Sequence, residues 1–286
     1  MKRHEGHTDA KQRRRKKECN KTCDITKNEV HMKGTMAKIL NWLLILMFFF
    51  GCKSDNLTEP EPEKSVPGYY KASQTDQAPV IDGQSSETCW TDAEWSDIDQ
   101  LWLGPAYTDD DFSGRYKVVW TPDLLYILVE ITDDVLIDSH RDPLTDYWED
   151  DCLEIFIDED NSDGIHQYSY NAFAYHIALD YNVADIGPDQ RVHLYSDHLE
   201  VKRTKNDQKY IWEIALKVYN DQYKDGSDEN PTVTLAAGKK IGFAIAYCDS
   251  DSNVRENFIG SVDIPGSDKN RAWIDAGVFG TLELVK

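Results

Sequence analysis

Apolar and polar residues alternate with a period of two through much of this chain. Cys152–Asp158 carries the pattern most sharply: Leu153, Ile155 and Ile157 fall on one face of the implied strand, and Cys152, Glu154 and Phe156 on the other. Segments 115–120, 123–133, 172–180, 210–218, 242–249, 257–264 and 279–285 carry the same kind of signal. Polar turns separate them, as in Asp158-Glu-Asp-Asn-Ser-Asp-Gly164. Few stretches hold a 3.6-residue period beyond ten residues. Eight to ten strands with short turns and no βαβ alternation predict an all-β fold. The expected architecture is one antiparallel β-sandwich, jelly-roll-like, opening at Ala78-Pro-Val-Ile-Asp-Gly83 and spanning 78–286.

The strand 152–158 has too little polar surface for either face to meet water. One face is expected in the core. The other is expected to line a cleft, with Trp148 at its mouth in the run Tyr147-Trp-Glu-Asp-Asp151. A planar aromatic beside a fixed carboxylate suits a sugar, because the ring covers the apolar C–H face of a pyranose and the carboxylate accepts from its hydroxyls. The alternative is a core strand preceded by an acidic turn that is solvated or holds calcium.

Composition changes the picture at the N-terminus. Residues 1–51 hold 12 of the 31 Lys/Arg and 5 of the 52 Asp/Glu, so the rest carries 19 and 47, a net charge of −28. Such a domain repels nucleic acid and anionic lipid but is compatible with neutral ligands and divalent cations. Residues 36–51 read as an export signal: one Lys, then an apolar run too short to span a bilayer. Phe49-Phe-Gly-Cys52 resembles a bacterial lipoprotein cleavage site, making Cys52 the lipidated residue, although Phe49 and Phe50 depart from the usual Leu-like and small residues. The implied place is the bacterial cell envelope, lipid-anchored at the outer membrane. Residues 1–35, with Lys11-Gln-Arg-Arg-Arg-Lys-Lys17, then read as a non-native upstream extension, and 52–77 as a flexible acidic tether. Three cysteines follow Cys52, namely Cys89, Cys152 and Cys248. Their odd number and wide spacing are not a disulfide framework, though one bridge stays open.

Several landmarks occur in order: Pro79-Val-Ile-Asp-Gly83, Trp90, Val118-Val-Trp-Thr-Pro-Asp-Leu-Leu-Tyr126, Val129-Glu-Ile-Thr-Asp-Asp134, Trp148-Glu-Asp-Asp-Cys-Leu-Glu-Ile-Phe-Ile-Asp158, then Trp273 and Phe279-Gly280. Together they resemble the family 9 carbohydrate-binding modules, β-sandwiches often joined to xylanases and other glycoside hydrolases. The resemblance implies two tryptophans clasping a terminal sugar, at Trp148 and Trp273. It also implies a binding glutamate at Glu154 and a binding asparagine at Asn270. A family arginine falls at His176 and a family glutamine at Ala246, so two donors are lost. Ala174, His176, Ala178, Ala244, Ala246 and Cys152 would then floor the cleft with small side chains. The family also implies structural calcium near Asp133, Asp134 and Asp138, where clustered carboxylates suit a hard cation. Asp158, Asp160, Asn161 and Asp163 resemble half a calcium loop without EF-hand spacing, and a solvated turn is the plainer reading.

Three functions compete. The first is non-catalytic glycan binding that supports polysaccharide breakdown, with glycoside hydrolases as partners. The second is a hydrolase pairing Glu154 with Asp150 or Glu149 about 5–9 Å apart. The third is a haem module, disfavoured because no Met follows residue 47 and no Cys-x-x-Cys-His occurs.

Overall fold

The computed structural model describes residues 68–286. The extension 1–35, the signal 36–51, Cys52 and the tether up to residue 67 lie outside them. Among the described residues, fourteen strands occur in chain order. The first five are β1 (Tyr69–Gln74), β2 (Ser96–Ile98), β3 (Gln100–Leu103), β4 (Phe112–Trp120) and β5 (Leu125–Asp133). Then come β6 (Cys152–Asp158), β7 (Phe173–Ala178), β8 (Val183–Ile186), β9 (Val192–Leu194) and β10 (Leu199–Asn206). The last four are β11 (Lys209–Leu216), β12 (Lys240–Asp249), β13 (Asn257–Gly260) and β14 (Gly280–Val285).

The main path of the sheet runs β10-β11-β5-β4-β1-β14-β12-β6-β7-β8-β9, with β2, β3 and β13 attached beside it. It curls over itself into a sandwich. Leu153, Ile155 and Ile157 of β6 share one core with Ile127 and Val129 of β5 and Trp212 and Ile214 of β11. Phe112 stacks on Tyr247 at 5.4 Å, and the Tyr247 hydroxyl donates to Asp133 Oδ2 at 2.8 Å, linking the two halves. Each large aliphatic side chain buried there contributes about 1.5–3 kcal/mol, so the alternating face is what drives the closure.

Two differences from the sequence reading concern strands. β1 lies inside the stretch 52–77 expected to be tether. It pairs in parallel with both β14 and β4, so the pairing is not purely antiparallel. Its sequence Tyr-Tyr-Lys-Ala-Ser-Gln buries only Tyr70 and Ala72, a signal too weak to see without its partners. β10 was missed for a related reason: as an edge strand it buries Leu199 and Val201 and turns charged residues outward.

Three of the landmarks have structural explanations. Phe279-Gly280 closes the sandwich because a Cβ on Gly280 would lie 2.5 Å from Gly68 O, where the chain crosses. The Ile-Asp-Gly turn and Trp90 converge on buried Glu213. Its Oε2 accepts from the N–H groups of Asp82 (3.1 Å) and Gly83 (2.9 Å), and its Oε1 from Trp90 Nε1 (3.0 Å). Gly83 has φ +82°, a conformation that a side chain would strain.

Candidate functional site

The second face of β6 is not an open floor. Cys152 and Phe156 are buried with Ala174, Ala244 and Ala246 beneath Trp102, Phe258 and Val262. The small residues make room for the Trp102 indole rather than for a ligand. Trp102 sits 4.9 Å from Phe258 and 6.0 Å from Phe156, and a Cβ on Gly260 would collide with its ring. The expected cleft floored by alanines is therefore corrected: an aromatic fills it.

A cavity of about 230 Å³ opens beside this cluster instead. Trp148, Glu154, His176, Asn270 and Trp273 all line it, so the structure brings together every residue expected at the site. Both tryptophans are half-buried, with part of each ring left to the cavity. Sequence reasoning missed Tyr147, His166, Asp185 and Arg255, which also line it.

Each wall has a local cause. Glu154 stands opposite His176 in the β6–β7 pair and opposite Ala246 in the β6–β12 pair. Its Oε1 is 2.9 Å from His176 Nε2 and accepts from the Cys248 thiol at 3.0 Å. Burial favours the neutral form of both groups, but their mutual attraction outweighs it. Glu154 is held below the usual carboxylate range and His176 above the usual imidazole range. The other His176 nitrogen faces the Ala174 carbonyl at 3.1 Å, so no ring N–H remains for a ligand. His176 acts through Glu154. The guanidinium expected in its place comes from Arg255, on the turn between β12 and β13. Arg255 Nη1 donates to Cys248 Sγ at 3.3 Å and lies 4.0 Å from Glu154 Oε1, and the group stacks over Phe258 at 4.5 Å. The one sequence hint was a base alone in the acidic run Asp249–Glu256.

Trp148 is fixed by its neighbour. Glu149 Oε1 accepts from the Trp148 indole at 3.0 Å, and Oε2 accepts from the Arg255 backbone N–H at 2.9 Å. Trp273 sits on a turn closed by Arg271 Nη2–Asp275 Oδ2 at 2.7 Å. The facing segment 165–169 is tied to that turn. The N–H groups of His166 and Gln167 both donate to Ile274 O, and His166 Nε2 donates to Ala272 O at 2.8 Å. Asn270 lines the cavity with no protein partner for its side-chain amide among the described residues.

The acids weighed for hydrolysis are engaged by other groups. Glu149 is engaged with Trp148 and Arg255. Asp150 accepts from Ser139 Oγ (2.8 Å) and the His140 N–H (2.7 Å), which hold it below the ordinary range although burial works the other way. Asp185 is pushed up to about 7 by burial, yet both its oxygens accept backbone N–H groups, from Ala174 and Ile186.

The acids expected at a cation centre divide. Asp133 joins Asp151 and Asp249, all three buried, with one oxygen from each within 4.8 Å of the others. Asp134 belongs to a more exposed group with Asp111 and Asp251. Asp138 is in neither; it borders a second, polar cavity with Asp150 and Asp180. The expected trio is therefore not gathered at one point: of the three, only Asp133 belongs to the buried cluster, where Asp151 and Asp249 join it. Burial first, then like charge, pushes Asp151 up to about 9, Asp249 to about 8 and Asp133 to about 6. Cys152 and Cys248 lie directly opposite each other as free thiols, and Cys89 is free as well.

Residues 81–286 match the family model described as Carbohydrate family 9 binding domain-like. The chain is 27% identical over 209 residues to endo-1,4-beta-xylanase A of Thermotoga maritima, covering 73% of this chain and 17% of that protein. It is 26% identical over 207 residues to exoglucanase XynX of Acetivibrio thermocellus, covering 72% of this chain and 16% of that protein. The chain thus spans about a sixth of the length of these relatives. In fold it is similar to a family 9 carbohydrate-binding module from Caldicellulosiruptor kristjanssonii in complex with cellotriose. There the TM-score is 0.55 and the identity 20%, over 76% of this chain and 93% of that one.

Proposed function

Since the chain belongs to the family 9 carbohydrate-binding domains, we propose that its cavity clasps the terminal ring of an oligo- or polysaccharide between Trp148 and Trp273. The two indoles cover the apolar faces of the ring, Glu154 accepts from its hydroxyls, and Arg255 and Asn270 donate to them. The ligand class is a β-1,4-linked gluco- or xylo-oligosaccharide, the chemistry named for the cellotriose complex and for the xylanase and exoglucanase relatives. The observation that carries this reading is the convergence of two half-buried tryptophans, distant in sequence, on one cavity with a charge-matched carboxylate.

Binding is non-catalytic. It serves a lipoprotein anchored through Cys52 at the bacterial outer membrane, where it holds polysaccharide for partner glycoside hydrolases. Calcium would be held by Asp133, Asp151 and Asp249, whose three buried carboxylates offer oxygen donors to a hard cation.

Calorimetry with cello- and xylo-oligosaccharides tests the site. Trp148→Ala and Trp273→Ala should each weaken binding by about 30-fold or more, matching the roughly 2 kcal/mol of a central aromatic contact. Undiminished affinity in both folded variants would reject it. Recovery of Cys52→Ala in the soluble fraction, with wild type in the membrane fraction, tests the anchor.

A further inference from the structure

Two thiols lie beside the cavity's glutamate, and the sugar reading gives them no task. Cys152 of β6 and Cys248 of β12 stand directly opposite each other in an antiparallel pair. Directly opposed Cα atoms in such a pair are about 4.5–5.5 Å apart, inside the span of about 4.4–6.8 Å that a disulfide bridges. Both thiols are free and fully buried. Their sulfur atoms and Glu154 Oε1 all lie within 4.8 Å of one another. Cys89 packs against the separate cluster of Trp90, Val119 and Tyr126, so among the described residues Cys152 and Cys248 have only each other to pair with.

The Cys248 thiol also touches the binding machinery. It donates to Glu154 Oε1 at 3.0 Å, while Arg255 Nη1 donates to its sulfur at 3.3 Å. Glu154 and Arg255 both line the cavity. The dithiol therefore occupies an acceptor position on the carboxylate that a ligand hydroxyl needs. A disulfide has no S–H, so it releases that position and still leaves Arg255 a sulfur lone pair.

We infer that Cys152 and Cys248 are a site of oxidation to a cross-strand disulfide, and that this bond sets the acceptor capacity of Glu154. The oxidant is a disulfide of the glutathione class. One cysteine thiolate attacks it, giving a mixed disulfide and one released thiol. The second cysteine thiolate attacks the cysteine sulfur of the mixed disulfide, making the Cys152–Cys248 bond and releasing the second thiol. The pair loses two electrons and two protons, and the oxidant gains both. In the closed fold the contact with Cys248, then burial, holds the Cys152 thiol up, and burial holds the Cys248 thiol up, so thiolates are scarce there. Both also pack in the cluster of Trp102 and Phe258, away from an oxidant. Exchange thus belongs to the open chain, and folding locks in the state it has reached. The effect on Glu154 rests on the sugar reading of the cavity; the bond does not.

The test refolds the full chain from urea in oxidised or in reduced glutathione, then maps disulfides by alkylation and peptide mass spectrometry. Oxidised refolding should yield a peptide linked through Cys152 and Cys248, and reduced refolding the two alkylated cysteines. Both cysteines alkylated or glutathionylated after oxidised refolding, or either joined to Cys89, overturns the bond. Calorimetry with cellotriose on the same preparations should show about five-fold tighter binding by the oxidised form. Cys152→Ser keeps the Cys248 thiol and cannot form the bond, so it should bind like the reduced form under both conditions. Cys152→Ala repeats the comparison should the serine variant not fold. Equal affinity of the two wild-type forms, with the bond present in one, overturns the control of Glu154 alone. No sugar binding by either form overturns the cavity reading and leaves the bond standing.

Discussion

Two buried carboxylates three residues apart show how neighbours decide what a charge does. Glu154 is 1% exposed and Asp151 0%. Glu154 meets an imidazole, a thiol and a guanidinium, and burial loses to these partners, so it stays ionised. Asp151 meets Asp133 and Asp249, and burial with like charge pushes it up to about 9 although two backbone N–H groups donate to it. The first group carries its compensation within the protein and can spend its remaining acceptor capacity on a ligand. The second has no base beside it, and burial with like charge favours its protonated form. Chemical type, burial and proximity in sequence are nearly the same for both. The bases across the sheet make the difference.

The largest expected effect breaks the symmetry of the pair. Glu154→Ala should destabilise by about 3–5 kcal/mol, because it strands His176 and Arg255 as buried charges without an anion. Asp249→Asn in EDTA should do the reverse and raise the melting temperature, since it removes a carboxyl that burial and like charge push up to about 8. Calcium should then stabilise wild type and fail to stabilise Asp249→Asn. Urea and thermal denaturation with and without chelator would measure both, and a stabilising Glu154→Ala would end the contrast.

A third solution to buried polarity sharpens it. Among the described residues His198 makes no ion pair. Its Nδ1 meets the Tyr175 hydroxyl at 2.8 Å and its Nε2 the Tyr223 hydroxyl at 3.0 Å, and burial pushes it down to about 4 from 6.5. The unfolded chain therefore takes up this proton before the folded one. Stability should fall by roughly 3 kcal/mol as pH drops from 6.5 to 4. The buried aspartates titrate with the opposite sign, so the informative quantity is wild type minus His198→Gln across that range. A flat difference would show His198 to be protonated in the fold.

The smallest effect concerns the first acid of the same run. Glu149→Ala removes the acceptor shared by the Trp148 indole and the Arg255 backbone, and should weaken sugar binding about five-fold, on the order of 1 kcal/mol. Glu149→Gln keeps an acceptor and should recover most of the loss, with the Trp148 fluorescence maximum returning toward the wild-type position. Equal losses in the two variants would mean that its charge, rather than its aim, matters.

The acid run Glu149-Asp150-Asp151 explains how much was legible. The sequence showed that acids cluster before an alternating strand and that an aromatic precedes them. It did not show that each binds a different element: Glu149 the β12–β13 turn, Asp150 the segment at Ser139 and His140, and Asp151 the N–H groups of Ile137 and Ser250. Trp148, Glu154, Asn270 and Trp273 were legible because a motif carried them. Arg255 was not, since it sits in a polar turn without period or spacing and acquires meaning only when β12 lies beside β6.

By itself the chain determined its period, and with it the all-β class, the core face of β6 and the sandwich. Burying Leu153, Ile155 and Ile157 against Trp212 and Ile214 leaves little choice, and alternation is a local property. Only the tertiary structure decided which side chains fill the other face, where Trp102 replaces the expected opening. It also decided which acids meet bases and which meet one another, because charge interactions depend on distance across strands that are far apart in sequence. The parallel placement of β1 was settled there too, by backbone partners that its own polar sequence does not name.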